Sequence, residues 1–192
     1  MNANDLLWIL LSYLIGSISW GLIFGFAHGL DLRRRDIPGG SGVFRQLGPV
    51  WGVLTALLDI AKGAFVALLA AQAPEGLAPW MATAVVAGHC WPVYFGFSGG
   101  GGLAPSLGFF LLYRPSVTLA ALVVVAAVAF LYYPWWLRRG GVLGIYPIPF
   151  AALFGYAYVI WELRSDPEGF GAVLGVTAVV LVRGLRLLQG RR

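Results

Sequence analysis

Charge is scarce in this sequence: only 11% of its 192 residues are Asp, Glu, Lys or Arg. A water-soluble globule with so little polar side-chain surface is excluded. Cysteine is scarcer still. Cys90 alone rules out an internal disulfide and cannot by itself build a thiolate metal centre. The chain also lacks a basic face. Its formal charge is +5, but the arginines flank apolar segments, a pattern that fits membrane topology and not nucleic-acid binding. The first apolar segment has neither the basic start nor the small-residue cleavage site of a secretory signal. It opens near Asp5 and is expected to stay as a helix.

What is present is apolar. The residues are 59% hydrophobic, with a mean hydropathy of +0.81, and several segments approach the ~20 residues that cross a bilayer. The expected fold is an all-α membrane protein, one polytopic bundle over residues 1–192 with about seven transmembrane helices, one of them short. The expected spans are 5–27, 50–71, 79–97, the short 103–113, 116–137, 142–161 and 169–188. Gly16, Ser17, Ser19, Gly21 and Gly25 in the first span are small enough for close helix contact, and the two serines are also open to lining a site. Asp59 and Lys62 in the second span share a helix face and can pair. His89, placed near the middle of the third span, is open to two readings, a packing residue or a base. With seven crossings, Arg33, Arg34, Arg35, Arg45, Arg138, Arg139, Arg183, Arg186, Arg191 and Arg192 all fall on one side. Only Arg114 and Arg164 fall on the other. The positive-inside rule then puts the N-terminus outside and the C-terminus in the cytoplasm.

The stretch from Gly88 to Ser106, GHCWPVYFGFSGGGGLAPS, cannot lie bare against lipid, because each unsatisfied backbone group there costs several kcal/mol. Four consecutive glycines, Gly99, Gly100, Gly101 and Gly102, let a ligand approach backbone N–H groups, and a concave set of those binds anions. The polar Gly29–Gly48 segment, with a turn expected at Gly39–Gly42, falls at the same face, as do the 138–144 loop and the C-terminal arginines. An anionic substrate at the membrane surface is the expectation.

In order along the chain stand Gly16-Ser17-Ile18-Ser19, Asp31-Leu32-Arg33, Arg45-Gln46-Leu47-Gly48, Asp59-Ile60-Ala61-Lys62-Gly63, the Gly88–Gly100 stretch, and a closing Arg186-Leu187-Leu188-Gln189-Gly190. Together these resemble the bacterial membrane enzymes that transfer an acyl chain from acyl phosphate to glycerol 3-phosphate (PlsY). The resemblance implies a multi-pass protein of the bacterial inner membrane with its site facing the cytoplasm, giving 1-acylglycerol 3-phosphate for phospholipid synthesis. It implies direct attack by the glycerol hydroxyl, with no cofactor and no metal. Acyl phosphate and glycerol 3-phosphate or another anionic lipid precursor are the expected ligands, with membrane lipid around them and no nucleic acid. A complex with other lipid-synthesis proteins is a further expectation. Carried onto this chain, the candidate catalytic residues are Arg45 and His89. The candidate substrate-binding residues are Ser17, Ser41, Ser98, Gly99, Gly100, Gly101, Gly102 and Arg183. The sequence departs from the family pattern where Ser98 and Gly101 replace two lysines and Pro105 a threonine. It departs again where Asp36–Gly42 replaces GSGNxGATN and where Val180–Arg183 replaces HRxN. These departures leave an alternative open: a catalytically lapsed paralogue that binds lipid or phosphate, or partners an active acyltransferase.

Overall fold

The computed structural model describes residues 2–189, so Arg191, Arg192 and Gly190 of the closing motif lie outside the described residues. Nine α-helices occur among them, with four short 3-10 turns between: α1 (Ala3–Gly16), α2 (Trp20–Ala27), α3 (Gly40–Leu47), α4 (Pro49–Ala70), α5 (Ala78–Cys90), α6 (Leu103–Tyr113), α7 (Pro115–Arg139), α8 (Pro147–Glu162) and α9 (Pro167–Gln189). Local chemistry sets many of their ends. Asn2 and Asp5 form a reciprocal capping box on α1, at 2.9 and 2.8 Å. Proline opens α4, α7, α8 and α9, where its missing N–H costs nothing.

Four segments are long and apolar enough to cross a membrane: 3–27, 49–70, 115–139 and 167–189. The shorter α5, α6 and α8 complete the bundle. α5 is the centre, with Met81, Val85, Val86, Gly88 and Cys90 all buried, and it packs against α1 and α9. α4 lies on α6, and α7 on α8. The outer surface is apolar instead: Phe130 is 79% and Leu131 75% exposed. A water-soluble protein would bury such side chains, whereas in a bilayer they face acyl chains at no cost.

The helices approach closely where glycine faces backbone. A Cβ at Gly16 would overlap the Val85 carbonyl, and one at Gly108 would overlap the Ile60 carbonyl. The expected role of Gly16 in helix contact therefore holds, and Gly108 plays the same part between α6 and α4. Gly108→Ala is expected to lower stability by about 1–3 kcal/mol, the usual cost of overpacking a tight contact. Thermal unfolding in detergent checks this, and an unchanged midpoint would mean that α6 shifts freely on α4.

Three expectations are corrected. The first span is not one helix: it breaks at 17–19, because buried Lys62 accommodates the carbonyls the break exposes. The third expected span, 79–97, keeps its helix only to Cys90, since Pro92 cannot continue it, so His89 sits in the last turn and not the middle. The expected turn at Gly39–Gly42 is instead the start of α3, capped by the extended Gly39.

Candidate functional site

Segment 91–102 is irregular backbone tied down at many points. The Tyr13 hydroxyl donates to the Trp91 carbonyl at 2.6 Å, and Arg33 Nη1 donates to the Phe95 carbonyl at 2.9 Å. Arg33 is itself held by the Asp31 carboxylate through Nε and Nη2, both at 2.8 Å. The hydrogen bond from Arg33 holds the partly exposed Asp31 carboxyl below its ordinary range. The chain then turns back on α5, where the Gly99 and Gly100 N–H groups donate to the carbonyls of Cys90 and His89 at 3.1 and 3.0 Å.

Each glycine of the run has its own reason to be glycine, except one. A Cβ on Gly99 would overlap the His89 carbonyl and the Pro92 ring, and one on Gly100 would overlap His89 Nε2. Gly102 has φ +90°, a left-handed conformation that a side chain disfavours. Gly101 has neither constraint, and a Cβ there meets nothing within 4 Å. It is the place in the run where the chain leaves room beside the backbone.

Arg183 of α9 supports the run from the other side. Its Nε donates to the Gly100 carbonyl at 3.1 Å and its Nη2 to the Gly99 carbonyl. Only 9% of the residue is exposed, and those two N–H groups are spent on the loop, so the geometry shown makes Arg183 a brace of the glycines. Gly39, the N-cap of α3, faces the same run: a Cβ on it would lie 4.0 Å from the Gly100 Cα. The N-cap of α3 and Gly100 are therefore neighbours.

Below the run is a buried polar cluster. Lys62 Nζ donates to the Gly16 and Ile18 carbonyls at 2.9 and 2.7 Å and lies 3.0 Å from His89 Nδ1. It also lies 2.9 Å from Asp59 Oδ1, and Asp59, Lys62 and His89 are at most 6% exposed. His89 Nδ1 also lies 3.5 Å from Asp59 Oδ1, so this nitrogen stands between the amine and the carboxylate, while Nε2 faces Gly100. The expected Asp59–Lys62 pair is present. What the sequence reading missed is that His89 and the broken end of α1 join it.

The remaining candidates are more dispersed. Ser17 is buried and donates its hydroxyl to the Tyr13 carbonyl at 2.9 Å, while accepting from Val93 N–H at 3.4 Å. Ser41 is exposed in the first turn of α3, and Ser98 is half-buried just before the glycines. Arg45 lies at the other end of α3. Its Nε and Nη2 donate to Asp36 at 2.8 and 2.6 Å, and its guanidinium carbon lies 4.8 Å from the centre of the Tyr146 ring. Asp36 was not singled out in the sequence, although an acid directly after three consecutive arginines was the available signal.

Fold and glycine run together define a multi-pass helical membrane protein whose polar loops close around irregular, glycine-rich backbone. The glycerol-3-phosphate acyltransferase family profile matches residues 6–186. The chain belongs to that family. Glycerol-3-phosphate acyltransferase 2 of Deinococcus radiodurans is 41% identical over 187 residues, covering 95% of this chain and 93% of that protein. The glycerol-3-phosphate acyltransferase of Neisseria gonorrhoeae is 33% identical over 196 residues, again covering 95% and 93%. Crystal structures of PlsY (YgiH), an integral membrane glycerol 3-phosphate acyltransferase, superpose well. Its glycerol 3-phosphate form has a TM-score of 0.79 at 28% identity, covering 98% of this chain and 94% of that one. Its lysophosphatidic acid form has a TM-score of 0.77 at 27% identity, covering 98% and 93%.

Proposed function

We propose that this protein transfers an acyl chain from acyl phosphate to the hydroxyl of glycerol 3-phosphate, giving 1-acylglycerol 3-phosphate and inorganic phosphate. The observation that carries the reading is the glycine run, braced by Arg183 and His89 and left open at Gly101, in a chain of this family. The acceptor oxygen attacks the carbonyl carbon of the mixed anhydride, and a new C–O ester bond forms. The bond from that carbon to the phosphate oxygen breaks, and the hydroxyl proton leaves on the phosphate. Phosphate is a good leaving group, so the step needs no enzyme nucleophile. The protein contributes position and charge. Backbone N–H groups of Gly101, Gly102 and the α3 start, together with Arg45, are the donors, with His89, Ser17, Ser41 and Ser98 around them.

The acyl chain has a place to go. The residue after Gly102, Leu103, begins α6, and it lines a cavity of about 160 Å³ shared with Ser106, Phe110, Ala121, Ile148 and Tyr156 between α6, α7 and α8. Such a lining suits hydrocarbon. Seven crossings, with α5, α6 and α8 as short ones, agree with the arginine distribution. In that topology the N-terminus is outside, the C-terminus is inside, and the site faces the cytoplasm from a bacterial inner membrane.

A second reading is favoured by the absence of a side chain at Gly101 and by the two committed arginines: a relative that binds the phosphate and transfers nothing. Phosphate release from acyl phosphate and glycerol 3-phosphate, measured on purified protein in lipid cubic phase, separates them. No release above a protein-free control would sink the enzyme reading. Because Gly101 has open space and ordinary φ, Gly101→Lys is expected to fold normally and to raise the rate. The gain is put at about tenfold or more, from one added charge-assisted contact. A rate unchanged by the added lysine would show that Gly101 does not face the reacting phosphates.

A further inference from the structure

The proposed reaction gives Asp36 no role, yet this carboxylate occupies the Nε–Nη2 edge of Arg45 with two charged hydrogen bonds, at 2.8 and 2.6 Å. Two parallel bonds to two oxygens are also how a guanidinium grips a phosphate. Asp36 is firmly seated. Its Oδ1 accepts the Ile37 N–H at 2.8 Å, and its carboxyl packs beside Gly42, where a Cβ would come within 3.3 Å of Cγ. Burial alone would raise this carboxyl, but the hydrogen bonds from Arg45 and Ile37 more than offset it and keep it below its ordinary range. The Asp36 side chain is 12% exposed and that of Arg45 31%, so the arginine is the partner that solution reaches more easily. The ring of Tyr146 flanks the same guanidinium. The helix that carries Arg45 starts beside Gly100.

We propose that Asp36 is an internal competitor for the anion site: an incoming phosphate must displace the Asp36 carboxylate from Arg45, and this exchange sets which anions the face accepts. A phosphate monoester dianion brings two charges and three oxygens against one carboxylate and wins the exchange. A monoanionic carboxylate brings no more charge than Asp36 and does not. Asp36 is thus a specificity-determining residue that selects dianionic phosphate compounds. The inference rests on reading Arg45 as an anion-binding residue, and it does not require that the protein turn substrate over.

The test is calorimetric titration of the purified full-length protein in detergent with glycerol 3-phosphate, inorganic phosphate and acetate. Asp36→Asn is expected to bind both phosphates about tenfold more tightly than wild type, and to bind acetate where wild type does not. Arg45→Gln is expected to lose the binding. Weaker or unchanged phosphate binding by Asp36→Asn, with wild-type helicity and thermal midpoint, would overturn the proposal, because Asp36 would then be orienting Arg45 and not competing for it. Absence of binding by both proteins overturns it as well. Should Asp36→Asn fail to fold, Asp36→Ser carries the same two outcomes. Tighter binding in the variant without any phosphate release in the turnover assay would leave this inference standing and remove the acyltransferase reading. Turnover with no change in binding does the reverse.

Discussion

Lys62→Met is expected to destabilise the protein by about 3–5 kcal/mol, the cost of breaking a buried ion pair by removing one partner. The reason is the number of groups that depend on this amine. It lies 2.9 Å from Asp59 Oδ1 and donates to two carbonyls, Gly16 and Ile18, left over where the first span breaks. Without it, a carboxylate with 1% exposure and two backbone oxygens, one buried and one part-buried, lose their partner inside a bilayer protein. Thermal unfolding in detergent should show the loss, and Asp59→Asn on top of Lys62→Met should recover part of it by removing the stranded charge. A midpoint equal to wild type would mean that the break between α1 and α2 does not rely on Lys62. His89 should feel the change as well. Its Nδ1 would lose the Lys62 neighbour at 3.0 Å and face the Asp59 carboxylate alone.

The second large effect is expected at Arg183. Arg183→Met keeps the apolar stem but removes both hydrogen bonds to the Gly99 and Gly100 carbonyls. The glycines then keep only their N–H bonds to α5, and the run is free to shift. A displacement of about 1 Å at a positioning element costs on the order of 10²-fold in rate, and a fall of that size in kcat/KM is the expected result. Stability should change less, because the core around Val173 and Val176 of α9 is untouched. If kcat/KM stays within twofold of wild type, the brace is structural ornament and the run is held by α5 alone. The contrast with Arg45 is useful: a variant there should raise KM for the phosphate substrate, while one at Arg183 should depress kcat as well.

Much of this could be read from the chain itself. A charge content of 11% with mean hydropathy +0.81 leaves a membrane bundle as the way to solvate the surface, and the exposed Phe130 and Leu131 show the consequence. The order of short motifs carried the family, and the glycine run marked the place where irregular backbone had to be satisfied. Gly102 with its left-handed φ and Gly99 under the Pro92 ring are glycines for reasons that a sequence pattern only hints at. Helix ends were less legible. Residues 91–97 are apolar enough to extend a span, but proline at position 92 and the tie from Tyr13 to the Trp91 carbonyl turn them into a loop.

The sequence by itself determined that the chain is helical, lies in a membrane, and belongs to an acyltransferase lineage, because composition and local motif order are properties of the chain alone. Only the tertiary structure decided what the charged groups do. Lys62 and Asp59 are three residues apart and pair on one helix, but His89 and the Gly16 and Ile18 carbonyls join them from 27 to 46 positions away. Arg183 meets Gly100 across 83 positions, and Arg45 meets Asp36 across nine. A guanidinium can brace a loop, bind a phosphate or be held by a neighbouring acid with the same five donors. Which of these it does depends on the oxygens the fold brings to it, and that is information no local stretch of sequence contains.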